Sequence, residues 1–178
     1  GKDAASSDAG KDSGGSGGDA GSNDAGTISG EPTALTGITA AHNTVRANAT
    51  PTPSPALSPL TWSNTVATAA QAWANGCDFN HSSNGYGENI YASTGTPTGQ
   101  SVVNSWASEA NSYNYAANTC SGTCGHYTQV VWRGSMLLGC GIKACSTNTP
   151  FDVAMYGPNW TLVVCDYSPA GNDGSRPY

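Results

Sequence analysis

Four ionisable side chains carry the chemistry this sequence has to offer. His126 lies in CGHYTQVVW, residues 124 to 132, two positions after Cys124. His81 and Glu88 share the loop NHSSNGYGENIY, residues 80 to 91, seven positions apart. Glu109 closes SVVNSWASEA, residues 101 to 110. Two neutral imidazoles and one or two carboxylates can hold zinc with a water in an open position. Zinc would lower the pKa of that water toward ~7. Without a metal, a histidine and a glutamate can pass protons. Each residue also has a plain structural reading, as a loop histidine, a surface acid or a capped acid at a helix end. The set contains no HExxH helix and no nucleophile elbow. Ser82 and Ser83 follow His81, but nothing local makes either a nucleophile.

These groups must be positioned by the elements around them. Residues 36 to 48 place Ile38, Ala41, His42 and Val45 at helical spacing. Four prolines in residues 51 to 59 then permit neither helix nor ladder. Ser63 can cap a second helix that carries Val66, Ala69, Ala70 and Trp73 on one stripe and stops at Gly76. In residues 101 to 110, Val102, Trp106 and Glu109 fall at i, i+4 and i+7, so Glu109 shares the apolar face of a third helix. A carboxylate there is costly unless it has a partner or lines a cavity. Gly85 and Gly87 let the backbone turn tightly around Tyr86. Residues 136 to 145 and 161 to 167 are apolar and read as strands. Helices first and strands late predict an α+β fold, with helices packed on a mainly antiparallel sheet. His42 reads as structural, its ring bonded to a neighbouring loop. Trp62, Trp73, Trp106 and Trp132 read as core, and Trp160 as exposed.

The totals bound the function. Residues 1 to 30 hold 9 Gly, 6 Ser, 5 Ala and 5 Asp, with Ile28 the only large apolar residue. Such a stretch cannot bury enough surface to offset its ordering entropy. Residues 1–33 are therefore expected to be a disordered linker, and residues 34–178 one folded domain. Of the net charge of −6, residues 1 to 31 carry two Lys, five Asp and Glu31, hence −4, and the remainder −2. No basic field for nucleic acid or an anionic membrane remains. Six cysteines, at 77, 120, 124, 140, 145 and 165, fit three disulfides in an oxidising compartment better than a zinc knuckle. No apolar run reaches the ~20 residues of a membrane span. No signal peptide is recognisable, which reads as a mature or truncated form. A low-complexity tether ahead of a disulfide-linked domain fits an extracellular or surface-held protein, expected to be a monomer.

Seven segments occur in an order that resembles one family. They are AHNTVR (41 to 46), LTWS (60 to 63), HSSNGYGENIY (81 to 91), SWASEANSYNY (105 to 115), CGHYTQVVWRGS (124 to 135), LGCG (138 to 141) and VVCDYSPAGN (163 to 172). Together they resemble the CAP superfamily of cysteine-rich secretory proteins, insect venom antigens and plant pathogenesis-related proteins of class 1. The likeness covers about residues 35 to 178. The six-cysteine layout and the final Arg-Pro-Tyr look most like the plant branch.

The resemblance implies an α-β-α sandwich with a central cleft lined by His81, Glu88, Glu109 and His126. It implies a weakly bound divalent metal, zinc, on His81 and His126, and disulfides Cys77–Cys145, Cys120–Cys124 and Cys140–Cys165. It also implies a hydrophobic partner, a sterol or fatty acid, with Ala56, Leu57 and Leu60 of the proline-rich loop as a candidate lip. A zinc-dependent hydrolase or peptidase using the same four residues is the alternative. A third reading is a C-terminal signalling peptide, since PAGNDGSRPY (169 to 178) resembles one released from plant relatives. The chain departs from that pattern, with Asp166 in CDYS where the family has Asn and a tail one residue shorter. The tail is otherwise expected to pack along the sheet edge.

Overall fold

The computed structural model describes residues 29–178, and most of the expected linker lies outside them. The folded part begins before residue 34. The Glu31 carboxylate accepts the amides of Gly37 (2.7 Å) and Thr39 (3.0 Å), which caps the first helix with an acid placed for its dipole. That interaction ties residues assigned to the linker onto the domain.

The helix α1 runs Ile38–Ala47, β1 Thr61–Trp62, and α2 Asn64–Ala74. The strand β2 (Gly87–Ser93), the helix α3 (Gly99–Ser108) and a short hairpin of β3 (Tyr113–Asn114) and β4 (Thr119–Cys120) follow. Next come α4 (Gly125–Val130), β5 (Leu137–Cys145), α5 (Val153–Tyr156) and β6 (Trp160–Ser168). Ser63 caps α2 as its sequence position suggests, and Thr98 with Ser101 forms a capping box at α3.

The main sheet has the order β1-β5-β6-β2. It is mixed, because β1 pairs with β5 in parallel while β5–β6 and β6–β2 are antiparallel. Period-2 alternation along β6 builds the sandwich. Val163, Cys165 and Tyr167 join a core with Leu35, Ile38, Val102, Trp106 and Val130 from the helical side. Leu162 and Val164 join Ala70 and Ala74 of α2 on the other. Helix α2 packs so closely on β5 that a Cβ at Gly139 would collide with the backbone of Val66 and Ala67, and one at Gly141 with that of Gln71. All three disulfides pair as the resemblance implies, and Cys140–Cys165 links residues directly opposed on β5 and β6.

Several expectations are corrected. Trp160 is 2 % exposed, and its indole donates to the Thr147 carbonyl. Trp62 and Trp73 are only partly buried at the edges of the two cores. Leu57 and Leu60 point into the core, so the proline-rich loop closes a core edge and forms no apolar lip; Ala56 alone is exposed. His42 bonds no loop. Its Nδ1 meets the Ile38 carbonyl one helical turn back (2.7 Å) and its Nε2 the Tyr167 hydroxyl on β6 (2.8 Å). The C-terminal tail packs over α4 and the β3–β4 hairpin and not along the sheet edge. Gly171 donates to Gln129, Asn118 to the Gly174 carbonyl, Arg176 to the carbonyls of Tyr115 and Ala116, and Arg133 to that of Pro177.

Candidate functional site

Glu109 ends α3, where the chain tightens into a 3-10 turn over Glu109–Ser112. Its side chain reaches the start of α4. One oxygen, Oε2, accepts the amides of His126 (3.0 Å) and Tyr127 (3.1 Å), two donors that a helix N-terminus leaves unpaired. The other, Oε1, lies 2.7 Å from His126 Nδ1. The same carboxylate therefore caps α4 and orients the imidazole. Burial on the apolar face, a cost in the sequence, is offset by three hydrogen bonds. The His126 ring also lies nearly parallel to Trp106, with centroids 6.0 Å apart and planes at 19°.

The second pair is built on the edge strand β2. Glu88 Oε1 lies 2.8 Å from His81 Nδ1 and accepts the Ser82 amide at 2.9 Å. The Glu88 side chain is 4 % exposed and that of His81 60 %, so a buried carboxylate presents an exposed ring. For Glu109 and His126 the values are 14 % and 25 %. Gly85, at φ +85°, allows the turn that returns the loop to β2.

The next residue on β2 connects the pairs. Asn89 donates to the His126 carbonyl (3.0 Å) and to the Tyr167 hydroxyl (3.0 Å), which in turn reaches His42. Burial pushes the His42 imidazole down to about 4, so it is neutral near pH 7. With Nδ1–H given to Ile38, its Nε2 accepts the tyrosine proton. A buried chain of hydrogen bonds thus runs from α1 through β6 and β2 to the backbone of His126.

The structure brings His81 to Glu88 and His126 to Glu109. No ion pair or hydrogen bond among the described residues links one pair directly to the other. No three His, Cys, Asp or Glu side chains among the described residues gather closely enough to hold one metal ion. What each pair does offer is an imidazole whose Nδ1 faces a carboxylate, the arrangement that sets the tautomer and aim of a metal-binding histidine. Only the two Nε2 atoms are then left as protein donors, half of a zinc tetrahedron. As a donor set, two imidazole nitrogens suit a weakly held divalent ion with water for the other positions.

One residue beside the His81–Glu88 pair escaped the sequence reading as part of the site. Asp166 on β6 lies directly opposite Glu88 in the β2–β6 register and is fully buried. Its Oδ2 accepts from Asn84 (2.8 Å), which pins the His81 loop to the sheet. Burial first, and the nearby Glu88 charge as well, push its carboxyl up to about 7. The clue in the sequence was the acid in CDYS, a departure from the plant pattern that the tail resembles.

The sequence matches the cysteine-rich secretory protein family, CAP, over residues 39–167. It is 42 % identical over 127 residues to pathogenesis-related protein 1 of Arabidopsis thaliana, covering 68 % of this chain and 72 % of that protein. Pathogenesis-related leaf protein 4 of Solanum lycopersicum is 40 % identical over 146 residues, covering 78 % and 80 %. Among solved structures, Schistosoma mansoni venom allergen-like protein 4 superposes with a TM-score of 0.66 at 26 % identity, over 83 % of this chain and 94 % of that one. No helix among the described residues is long and apolar enough to cross a membrane. All six cysteines are paired, which suits an oxidising, extracellular setting. Family match, plant relatives near 40 % identity, sandwich and disulfides agree: the chain belongs to the CAP family of cysteine-rich secretory proteins, with the pattern of the plant class 1 branch.

Proposed function

We propose that this CAP domain is an extracellular binding module, with a divalent metal held by His81 and His126 and a hydrophobic small molecule, a sterol or fatty acid, carried elsewhere on its surface. The observation that supports the metal is the pair of carboxylate-oriented imidazoles, each with Nε2 left over. A bound zinc would supply Lewis acidity and a water of lowered pKa. Glu88 and Glu109 hold the rings in place.

The same geometry weakens the hydrolase alternative. Glu109 is largely committed, since Oε1 faces His126 and Oε2 holds two amides, three of the carboxylate's roughly four acceptor sites. The spare oxygen of Glu88 is buried. A general base needs an accessible lone pair within reach of its proton. Release of the C-terminal segment is also opposed, because its contacts with α4 and the hairpin would have to break.

The hydrophobic ligand is supported by apolar surface on α5 and not by the proline-rich loop. Val153, Met155 and Tyr156 are exposed, Met155 by 70 %, with Phe79 also partly exposed. Exposed apolar clusters mark binding surfaces.

The test is a titration of the full, delipidated chain with labelled sterol and fatty acid, with and without EDTA. Saturable binding that survives the chelator is expected. Absence of binding by folded protein would sink the carrier reading for those ligands. Zinc titration in parallel should show weak binding that His81→Ala or His126→Ala lowers at least tenfold. Wild-type affinity retained in both variants would remove the metal from this cleft.

A further inference from the structure

Three oxygen atoms beside the His81 loop are buried and have no hydrogen-bond partner: Ser82 Oγ, Glu88 Oε2 and Asp166 Oδ1. They belong to one place. Glu88 and Asp166 are directly opposed on β2 and β6, so both side chains leave the same face of the sheet, with Cβ atoms about 4.5–5.5 Å apart. Ser82 gives its amide to Glu88 Oε1, which holds this residue against that carboxylate. Asn84 reaches across to Asp166 Oδ2 and closes the loop over the pair.

No lysine or arginine among the described residues neutralises this cluster. Among the described residues the close contacts between basic and acidic side chains are His81–Glu88 and His126–Glu109, so no lysine or arginine pairs with Asp166 or Glu88. Arg46, the buried guanidinium, is bonded to the carbonyls of Ser58, Val130, Trp132 and Ser135. Arg176 is bonded to Tyr115 and Ala116. Two adjacent buried carboxylates with unfilled lone pairs are unfavourable unless a proton or a metal ion joins them.

We propose that Ser82 Oγ, Glu88 Oε2 and Asp166 Oδ1 form an oxygen-donor site for a hard divalent cation, calcium or magnesium, separate from the imidazole donors of the cleft. Carboxylate and hydroxyl oxygens are the ligands such ions prefer, whereas imidazole nitrogen suits zinc. Only two of the donors are carboxylates, so the site differs in kind from one built of three or more His, Cys, Asp or Glu groups, which the described residues lack. Three protein oxygens are fewer than the roughly six to eight that calcium takes. That places the affinity in the weak range of extracellular calcium modules, about 10⁻⁴–10⁻³ M. Glu88 couples this site to the cleft. One of its oxygens orients His81 and the other meets the cation, so occupancy would stiffen the loop that presents the imidazole. The inference does not depend on zinc binding by His81 and His126.

The experiment is thermal unfolding and calorimetric titration of the full, chelator-treated chain with CaCl2 and MgCl2 at a pH above 8, where a carboxyl of raised pKa is ionised. The expected result is one saturable site and a rise in Tm that grows with ion concentration. Asp166→Asn, nearly isosteric, should abolish both, and Ser82→Ala should weaken binding several-fold. His126→Ala should leave calcium binding unchanged while lowering zinc affinity, and Asp166→Asn should keep zinc binding. That contrast separates failure of this site from failure of the imidazole pair. No Tm shift at about 10 mM calcium or magnesium, or the full wild-type shift retained in both Asp166→Asn and Ser82→Ala, would overturn the proposal. Should Asp166→Asn not fold, Ser82→Ala alone decides it.

Discussion

Glu109 and His126 are joined twice, through the ring at 2.7 Å and through the backbone amide at 3.0 Å. Helix cap and imidazole anchor are one side chain. Glu109→Ala should therefore lower stability, by about 1–3 kcal/mol, because two α4 amides lose their acceptor. Its metal affinity should fall about 10–100-fold, as for other carboxylates behind metal-binding histidines. Urea unfolding and zinc titration on the same variant read both effects. Loss of stability with metal affinity intact would mean that Glu109 is a cap alone.

His42 makes stability depend on pH in a defined direction. Its folded pKa, about 4, lies below the 6.5 of a free imidazole, so between these values the unfolded chain binds more protons. The contribution is fully present above pH 6.5 and is lost as pH falls toward 4, to about 3 kcal/mol in all. Urea midpoints of wild type and His42→Gln across that window should converge as the pH drops. Parallel curves would contradict a neutral buried imidazole.

Asp166 acts in the opposite sense. Its folded pKa, about 7, lies above the ordinary 3.8, so the folded state holds the extra proton. The stability this gives is present below pH 3.8 and disappears as pH rises through 7. In metal-free buffer at pH 8, Asp166→Asn should be more stable than wild type, with a Tm higher by several degrees. The difference should shrink toward pH 4. A variant that is less stable at pH 8 would show that the carboxylate is better paired than its burial implies.

The approach of α2 to β5 leaves no room at Gly139. Gly139→Ala would drive a methyl into the backbone of Ala67, where no flexible side chain can yield. We expect a loss of at least about 3 kcal/mol, beyond the usual cost of overpacking, or failure to fold. Gly134→Ala, whose nearest neighbour is the Trp132 side chain, should be tolerated. Equal stability of the two variants, by chemical denaturation, would refute this packing.

The elements that periodicity could reveal were legible. Val66, Ala70 and Trp73 marked α2, and the apolar run at Leu162 to Cys165 marked β6. Strand β2 was hidden in a loop rich in Asn, Gly and Ser, because an edge strand that carries Glu88 and Asn89 lacks the apolar alternation of a strand with one wet face. Helix α4 spans six residues, too few for a helical period to register. The parallel pairing of β1 and β5 rests on two residues, and no local pattern encodes it.

By itself the sequence determined the chemical inventory: three histidines, few charges, six cysteines and a polar first segment. Ordered motifs then assigned the family and named His81, Glu88, Glu109 and His126. Only the tertiary structure decided how those residues pair, that Glu109 caps the helix bearing His126, and that Leu57, Leu60 and Trp160 turn inward. It also decided that Asp166 faces Glu88. The physical reason is register. Which acid stands opposite which is set by strands 78 residues apart in the chain, from Glu88 to Asp166, and by the closure of the sheet between two helical layers. Local propensity carries no record of that choice.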